Sequence, residues 1–162
     1  MGCCHVGDSR LKPCGYVFTA FMIIETLKAI HLKHRLNEGD VSAHTKSAQT
    51  ITKEWQAAVC NDGVVGEVRV SEANNERIDV VDLGARTAYE LKVSGKNTHH
   101  EFYKDLVKVL TYNEYQAPAQ RLTKLVFISE EAGIRSLQAR LDTLFLKMLE
   151  SKHSLHIELV GI

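Results

Sequence analysis

The first part of the chain shows the hydrophobic spacing of two helices. Residues 16–36 place apolar side chains at positions 17, 18, 21, 24, 27 and 30, which is a helical period. The polar sequence at 37–40 predicts that this helix ends there. A second helix is predicted from Ser42 to Cys60. Its inward stripe is predicted to consist of His44, Ala48, Ile51, Trp55, Ala58 and Val59.

A different period follows, in which apolar and polar positions alternate. Residues 64–72, 77–84 and 87–94 each have the alternation of a strand. The short connection at 84–86 predicts that the second and third strands form a hairpin. A helix is then predicted from His99 to Tyr115. The side predicted to face the core carries Phe102, Leu106, Val109 and Leu110.

The last third of the chain predicts one more strand, helix and strand. Residues 122–130 form an apolar run typical of a buried strand, residues 134–151 are amphipathic with a helical period, and residues 155–162 return to a strand pattern. The predicted order is α-α-β-β-β-α-β-α-β, which favours an α/β fold. We expect an irregular leader at 1–15 and a single domain at 16–162, because no linker or repeat divides the chain.

Composition narrows the class of protein. The 162 residues are 44% hydrophobic and 25% charged, as in a soluble domain, and 20 basic residues balance 20 acidic ones. This neutral total argues against a uniformly basic nucleic-acid binder but leaves room for a local basic face. Three of the four cysteines lie in the first 14 residues, no signal peptide is evident, and the apolar run at 17–24 is too short to span a membrane. We therefore expect a cytoplasmic protein with no membrane association.

The candidate chemistry lies in the predicted hairpin. Asp79 is on its first strand, and Glu90 and Lys92 are on its second. Because side chains alternate along a strand, Glu90 and Lys92 share one face, and hairpin pairing would bring Asp79 close to Glu90. Two neighbouring carboxylates repel unless a cation lies between them, and Mg²⁺ prefers such oxygen ligands. A cation there would activate water against a phosphodiester, with the Lys92 ammonium stabilising the developing charge.

The same residues are open to a plainer interpretation. A Glu and a Lys two apart on a solvated strand face form an ordinary ion pair of little energetic value, under about 1 kcal/mol. In that case the second and third strands would not be neighbours, or Glu90 would face away from Asp79. The position of both acids in adjacent apolar strands, followed by a helix and a buried strand, favours the functional interpretation.

Residues 54–112 resemble the PD-(D/E)xK nuclease superfamily, whose core has the order α-β-β-β-α-β, and residues 42–130 are predicted to follow that order. The resemblance implies a restriction-endonuclease-like core with a central mixed β-sheet flanked by helices. It assigns Asp79 as the first acid, Glu90 as the second, Lys92 as the lysine, and the Leu91 carbonyl as a further metal ligand. Ile78 stands where the name of the motif has proline.

The resemblance also implies an additional acid on the helix before the first strand. Glu54 fits by position, with Glu25 and Glu67 as rivals. The implied activity is a magnesium-dependent DNA endonuclease, with Mn²⁺ as a substitute cofactor and a homodimer as the assembly, since duplex cleavage needs two cuts. A catalytically inactive nuclease-fold module that binds DNA or protein remains the alternative. The predicted DNA contacts are Lys96, Lys104, Lys108 and Tyr112, each of which also suits a solvated loop or helix edge.

Overall fold

Five α-helices, five strands and one short 3-10 helix (Pro118–Gln120) make up the described part of the chain. The computed structural model describes the backbone of residues 14–37 and 44–162 and the side chains of residues 20–35 and 48–162. The helices are α1 (Cys14–Asn37), α2 (His44–Val59), α3 (Thr98–Glu114), α4 (Glu131–Gln138) and α5 (Thr143–His153). The strands are β1 (Val64–Arg69), β2 (Arg77–Asp82), β3 (Thr87–Lys92), β4 (Lys124–Ser129) and β5 (His156–Gly161).

The five strands form one mixed sheet in the order β1-β2-β3-β4-β5. The β1–β2 and β2–β3 pairs are antiparallel, whereas β3–β4 and β4–β5 are parallel. The chain therefore enters through a meander and then crosses over twice through helical connections. The predicted α/β class and the central mixed sheet flanked by helices are both confirmed. Within the described residues, we find no helix with the length and apolar character needed to cross a membrane.

Helices cover both faces of the sheet. One apolar cluster joins α1 and α2 to side chains of β1–β4, and its centre is the fully buried Trp55, whose indole N–H donates to the Ile23 carbonyl at 3.0 Å. The other cluster joins α3, α4 and α5 to the opposite face of the sheet. The β3 strand is the central one, and helices pack on both faces of the sheet around it. Its alternate side chains therefore enter two different helical layers.

Burial on the first two helices follows their sequence patterns only in part. Phe21 of α1 is 60% exposed, whereas Ile23, Leu27 and Ile30 are buried. Apolar residues are dense on α1, so its sequence does not fix which side faces the sheet, and packing against α2 selects the buried stripe. On α2, Ile51, Trp55 and Val59 are buried as predicted, but Ala58 is exposed. The side chain of His44 lies outside the described residues.

The predicted helix at 134–151 is two helices. The α4 helix begins at Glu131, ends at Gln138, and is separated from α5 by residues 139–142. Asp142 caps α5, because its side chain accepts a hydrogen bond from the Leu144 N–H at 2.7 Å. Both helices bury leucines in the same apolar cluster, so the hydrophobic spacing continued through the break and concealed it.

The remaining helix and strand boundaries in the structure agree with the predicted ones to within two or three residues. The β1, β2, β3 and β4 strands are shorter than predicted, and α3 begins and ends one residue early. The α1 helix begins at Cys14, two residues before the predicted start, and the rest of the predicted leader lies outside the described residues. The helix end predicted at 37–40 also lies largely in the undescribed range 38–43.

Candidate metal centre

Asp79 lies at an interruption of the sheet. The β1–β2 register is continuous except at the step that Glu67 and Asp79 would occupy, and Glu67 there has a left-handed backbone with φ of 54°. The Asp79 carbonyl accepts a hydrogen bond from Gln56 Nε2 on α2 at 2.9 Å. Its carboxylate points towards β3, where Oδ2 accepts a hydrogen bond from the Leu91 N–H at 2.8 Å. Where the β1–β2 pairing is interrupted, the Asp79 carboxylate therefore turns towards β3.

Glu90 lies on the neighbouring strand and points into the α3 layer. The β2–β3 register pairs Val80 with Tyr89, so the next step sets Asp79 opposite Glu90. Tyr89 packs on the α1–α2 side, as the alternation predicts, and Glu90 takes the other side with only 1% of its surface exposed. The second and third strands are therefore neighbours, as the hairpin prediction required, and the Asp79 charge is one of the causes that raise the pKa of Glu90.

The α3 helix closes this space with one acid and one lysine. The Lys108 Nζ lies 2.8 Å from Glu90 Oε1 and 2.8 Å from Asp105 Oδ1, and it donates to the Arg77 carbonyl at 3.0 Å. The Lys108 side chain is 11% exposed, so this ammonium group is largely removed from water. We call the group formed by Asp79, Glu90, Asp105 and Lys108 the acidic corner.

Glu90 is held in the acidic corner by Lys108. Its side chain is buried, and its Oε1 forms an ion pair with the Lys108 Nζ at 2.8 Å. A carboxylate oxygen has more than one lone pair, so it can accept a second protic or cationic partner besides the lysine.

Burial and mutual repulsion raise the pKa values of the three acids. Burial raises the pKa of Asp79 to about 6, against the stabilising Leu91 N–H and the Lys108 charge. The pKa of Glu90 is raised well above its ordinary value by burial first and then by the Asp79 and Asp105 charges. Burial also raises the pKa of Asp105, although Lys108 opposes it. Because burial is the largest cause for each of them, the raised pKa values mean that these acids hold a proton more readily than exposed carboxyls do.

The pKa of Lys108 is also raised, but by neighbouring charges and against the effect of burial. Burial alone lowers the pKa of an ammonium group, but the Glu90 and Asp105 carboxylates outweigh this effect, and the pKa of Lys108 is raised. The lysine is therefore charged at neutral pH and serves as the internal counter-ion of the corner.

Lys92 lies at the edge of the same layer. It is two residues beyond Glu90 on β3, so it shares that face, and its side chain is 33% exposed. Its Nζ lies 3.6 Å from Glu101 Oε1 on α3, one helical turn before Asp105. The lysine is thus close to the corner but more open to solvent, in a position suited to meeting an incoming phosphate.

The structure separates the three candidates for the additional acid. Glu54 is on α2, which packs on the opposite face of the sheet from Glu90, and it pairs with Lys33 and His34 at 2.8 Å each. The structure therefore does not bring Glu54 to the corner. Glu25 pairs with the neighbouring Lys28 on α1. Glu67 alone of the three acts on the corner, since its charge raises the pKa of Asp79.

The four residues predicted to contact DNA have different environments. Lys96 and Lys104 are exposed, on the β3–α3 loop and on α3. Tyr112 is only 8% exposed and belongs to the core beneath α3. Lys108 belongs to the acidic corner rather than to an open helix edge, because it is bound to two carboxylates. Lys96 and Lys104 are therefore the two predicted contacts that solvent can reach freely.

A groove runs beside the corner along α3. Its volume is about 390 Å³, and it lies between α3 and the turn that joins β1 to β2. The residues lining it are Val70, Asn74, Glu76, His100, Tyr103, Lys104, Val107, Lys108 and Thr111. Lys108 thus borders both the groove and the buried carboxylates, which connects the corner to an open surface.

Asp105 is the member of the corner that the sequence did not identify. The pattern of α3 shows a signal only in retrospect: Asp105 occupies the buried side of the helix, beside Phe102, Leu106 and Val109, where an apolar residue is expected. A charged residue on the apolar face of an amphipathic helix is unusual and indicates a partner in the fold.

The side chains as placed do not form a ready metal site. Among the residues whose side chains are described, no group of three His, Cys, Asp or Glu residues is arranged to hold a metal ion. Lys108 lies between Glu90 and Asp105, and Asp79 is engaged by the Leu91 N–H, which accounts for this result. The three cysteines of the first 14 residues, Cys3, Cys4 and Cys14, lie outside the described side chains, as does His5. In comparisons with known proteins, no family model, curated protein or solved structure matches the chain.

Proposed function

We propose that this chain is a magnesium-dependent DNA endonuclease with a restriction-endonuclease-like core. The observation that carries the proposal is the buried Glu90 carboxylate beside Asp79 on the adjacent antiparallel strand, with Lys92 on the same face of β3. The order α2-β1-β2-β3-α3-β4, with an antiparallel meander followed by a parallel strand, supports the same core. The resemblance of residues 54–112 to the PD-(D/E)xK nucleases lies within these same elements.

The donors of the corner suit a hard divalent cation. They are carboxylate oxygens without sulfur or imidazole. Asp79 and Glu90 would hold Mg²⁺ or Mn²⁺, and the resemblance adds the Leu91 carbonyl. Such a cation supplies an activated water and neutralises charge that develops on the phosphate.

Lys92 completes the proposed chemistry. Its ammonium group orients the attacking water and stabilises charge on the non-bridging phosphate oxygens as the phosphodiester is cleaved. The exposed position of Lys92 and its long contact with Glu101, 3.6 Å, mean that little binding energy is lost when it turns towards substrate. Glu101 in turn keeps the ammonium group near the mouth of the corner.

The surface beside the corner supports DNA as the substrate. Lys96 and Lys104 are exposed on the loop before α3 and on α3 itself, and Lys104 lines the groove that reaches Lys108. Contacts of this kind neutralise backbone phosphates without reading sequence. They give a local positive surface within a chain of zero net charge. A homodimer with two such sites would cut both strands of a duplex, and a cytoplasmic location remains a prediction.

One observation favours a second candidate function. Lys108 pairs with Glu90 and Asp105, and Lys92 pairs with Glu101, so the charges of the corner are partly neutralised within the chain. A nuclease fold that no longer cleaves, and that binds DNA or protein through the α3 surface, would retain such internal pairing.

Cleavage assays separate the two candidates. Wild type is incubated with supercoiled plasmid, branched DNA and single-stranded DNA in Mg²⁺, in Mn²⁺ and in EDTA. We expect metal-dependent nicking that Glu90→Gln and Lys92→Met abolish and that Lys147→Met, which removes an exposed lysine of α5, leaves unchanged. DNA binding without cleavage in either metal would favour the non-catalytic module, and the absence of both binding and cleavage would overturn the proposal.

A further inference from the structure

The outer side of α1 presents large apolar side chains to solvent. Phe21, Met22 and Leu32 are 60%, 46% and 59% exposed. The opposite side of the same helix is buried, where Ile23 and Leu27 belong to the apolar cluster shared with α2 and the sheet. Single exposed apolar side chains are ordinary on a protein surface, but several on one side of a helix indicate a surface that a partner covers.

The exposed side of α1 has the spacing of a coiled-coil seam. Four of its residues follow one another at steps of four, three and four positions, which places them on one stripe of the helix. They are Phe21, Glu25, Lys28 and Leu32, and we call them the α1 seam. The two ends of the seam are apolar, its two central positions carry opposite charges, and it extends over about 16 Å of helix.

The α1 seam is complementary to a second copy of itself when the two copies run antiparallel. About a two-fold axis, Phe21 faces the partner's Leu32, and Glu25 faces the partner's Lys28. The four layers are then two apolar contacts and two ion pairs. A parallel arrangement would instead set Glu25 against the partner's Glu25 and Lys28 against the partner's Lys28, and these like charges repel. The charges therefore specify both the orientation and the register of the two helices.

The central charges can re-pair between subunits at little cost. Within the chain, the Lys28 Nζ lies 2.9 Å from Glu25 Oε1, and each side chain is 44% exposed. An ion pair so open to water contributes little to stability, so little is lost when its two members turn to a partner helix. Ala29, which lies beside the seam, is small and exposed, so a second helix can approach α1 closely.

We propose that the α1 seam is the interface of a homodimer in which two copies of α1 pack antiparallel about a two-fold axis. The inference does not rest on the cation site of the proposed function. The α1 helix covers the opposite face of the sheet from α3, so this interface leaves the acidic corner and the groove accessible. Because the seam is short, we expect a dimer that dissociates in the micromolar range.

Sedimentation velocity over a concentration series of the full chain measures this association. Wild type is expected to change from monomer to dimer between about 1 and 200 μM. Leu32→Glu places a charge in both apolar layers and should weaken association by at least about tenfold. Leu144→Glu, at a 72% exposed site on α5, is the control and should associate like wild type. A wild type that stays monomeric throughout, or a dimer that Leu32→Glu leaves intact, overturns the inference.

Charge exchange at the centre of the seam tests the pairing itself. Glu25→Lys alone and Lys28→Glu alone each create two like-charged layers, so each variant should associate at least about tenfold more weakly than wild type. An equimolar mixture of the two variants should recover the dimer, because every lysine then faces a glutamate of the other variant. Neither variant retains the Glu25–Lys28 pair within its own helix, so that pair cannot account for the recovery. Single variants that dimerise like wild type, or a mixture that stays monomeric, overturn the inference.

The double variant Glu25→Lys/Lys28→Glu provides a further check, because it keeps opposite charges in both central layers and should dimerise like wild type. A monomeric double variant with a wild-type circular dichroism spectrum would contradict the proposed register.

Association and cleavage are measured separately, so the two proposals can fail independently. Glu90→Gln should dimerise like wild type, because Glu90 lies in the α3 layer. A protein that dimerises through the α1 seam but neither binds a divalent cation nor cleaves DNA sustains the interface and overturns the proposed function. A protein that cleaves DNA and remains monomeric does the reverse.

Discussion

Asp79→Asn is expected to stabilise the metal-free protein while it destroys the cation site. The substitution keeps the shape of the side chain and an oxygen that can accept the Leu91 N–H. It removes a charge whose burial raises the pKa of Asp79 from 3.8 to about 6. A shift of that size corresponds to about 3 kcal/mol of unfavourable free energy when the carboxyl is ionised, as an order of magnitude.

The effect has a defined pH dependence. The folded carboxyl ionises at higher pH than the unfolded one, so the native state binds more protons between the two pKa values. Its contribution to stability is therefore present in full below the unfolded pKa and is lost as the pH rises through the folded pKa of about 6. The variant and wild type should be similar near about pH 4 and should diverge as the pH approaches about 8.

Urea unfolding of EDTA-treated protein across that range measures the divergence. With a urea m-value of about 2 kcal/mol/M, the midpoint of Asp79→Asn should exceed that of wild type by about 1.5 M at the upper end. Asp62→Asn, at an exposed site, should show no such change. Parallel pH profiles for Asp79→Asn and wild type would refute the reasoning, because they would mean that the Asp79 carboxyl ionises normally in the folded protein.

Three further substitutions test the surroundings of the site. Lys92→Met should change the free energy of unfolding by less than about 1 kcal/mol in urea melts, because its ion pair is long and partly solvated; a larger loss would make Lys92 structural. Gly133→Ala should lower the free energy of unfolding by about 1–3 kcal/mol, because the new Cβ would lie 2.5 Å from Thr98 Oγ1. Gly63→Ala is the control and should be tolerated, because the atom nearest to its Cβ would be 3.7 Å away. Asp142→Ala should lower the free energy of unfolding by about 1 kcal/mol in the same assay, because it removes the N-cap of α5. Asp142→Asn should retain most of that stability, because its side-chain oxygen can still accept the Leu144 N–H. Equal losses in the two variants would show that the cap does not stabilise the protein.

Most of the sheet could be predicted because its sequence signals are local. Alternation along β1, β2 and β3 fixed which side chains share a face, and the short 84–86 connection required the hairpin that brings Asp79 to Glu90. The phase of α1 could not be predicted in the same way, since apolar residues are spread around this helix and only contact with α2 and the sheet selects Ile23 over Phe21. The break between α4 and α5 was hidden because both helices serve one apolar cluster.

The α3 side of the site was harder to predict. Whether Asp105 and Lys108 lie in solvent or under the helix depends on how α3 rotates over β2 and β3, and that rotation is set by Phe102, Leu106 and Val109 entering the core. For this reason, the sequence alone predicts an open helix edge for Lys108. The position of Glu54 likewise depends on which face of the sheet α2 covers, which a strand pattern does not specify.

Anomalous diffraction from crystals soaked in Mn²⁺ tests the central claim most directly. The account predicts one strong manganese peak bounded by the carboxylates of Asp79 and Glu90. A soaked crystal with no peak at the acidic corner would contradict it.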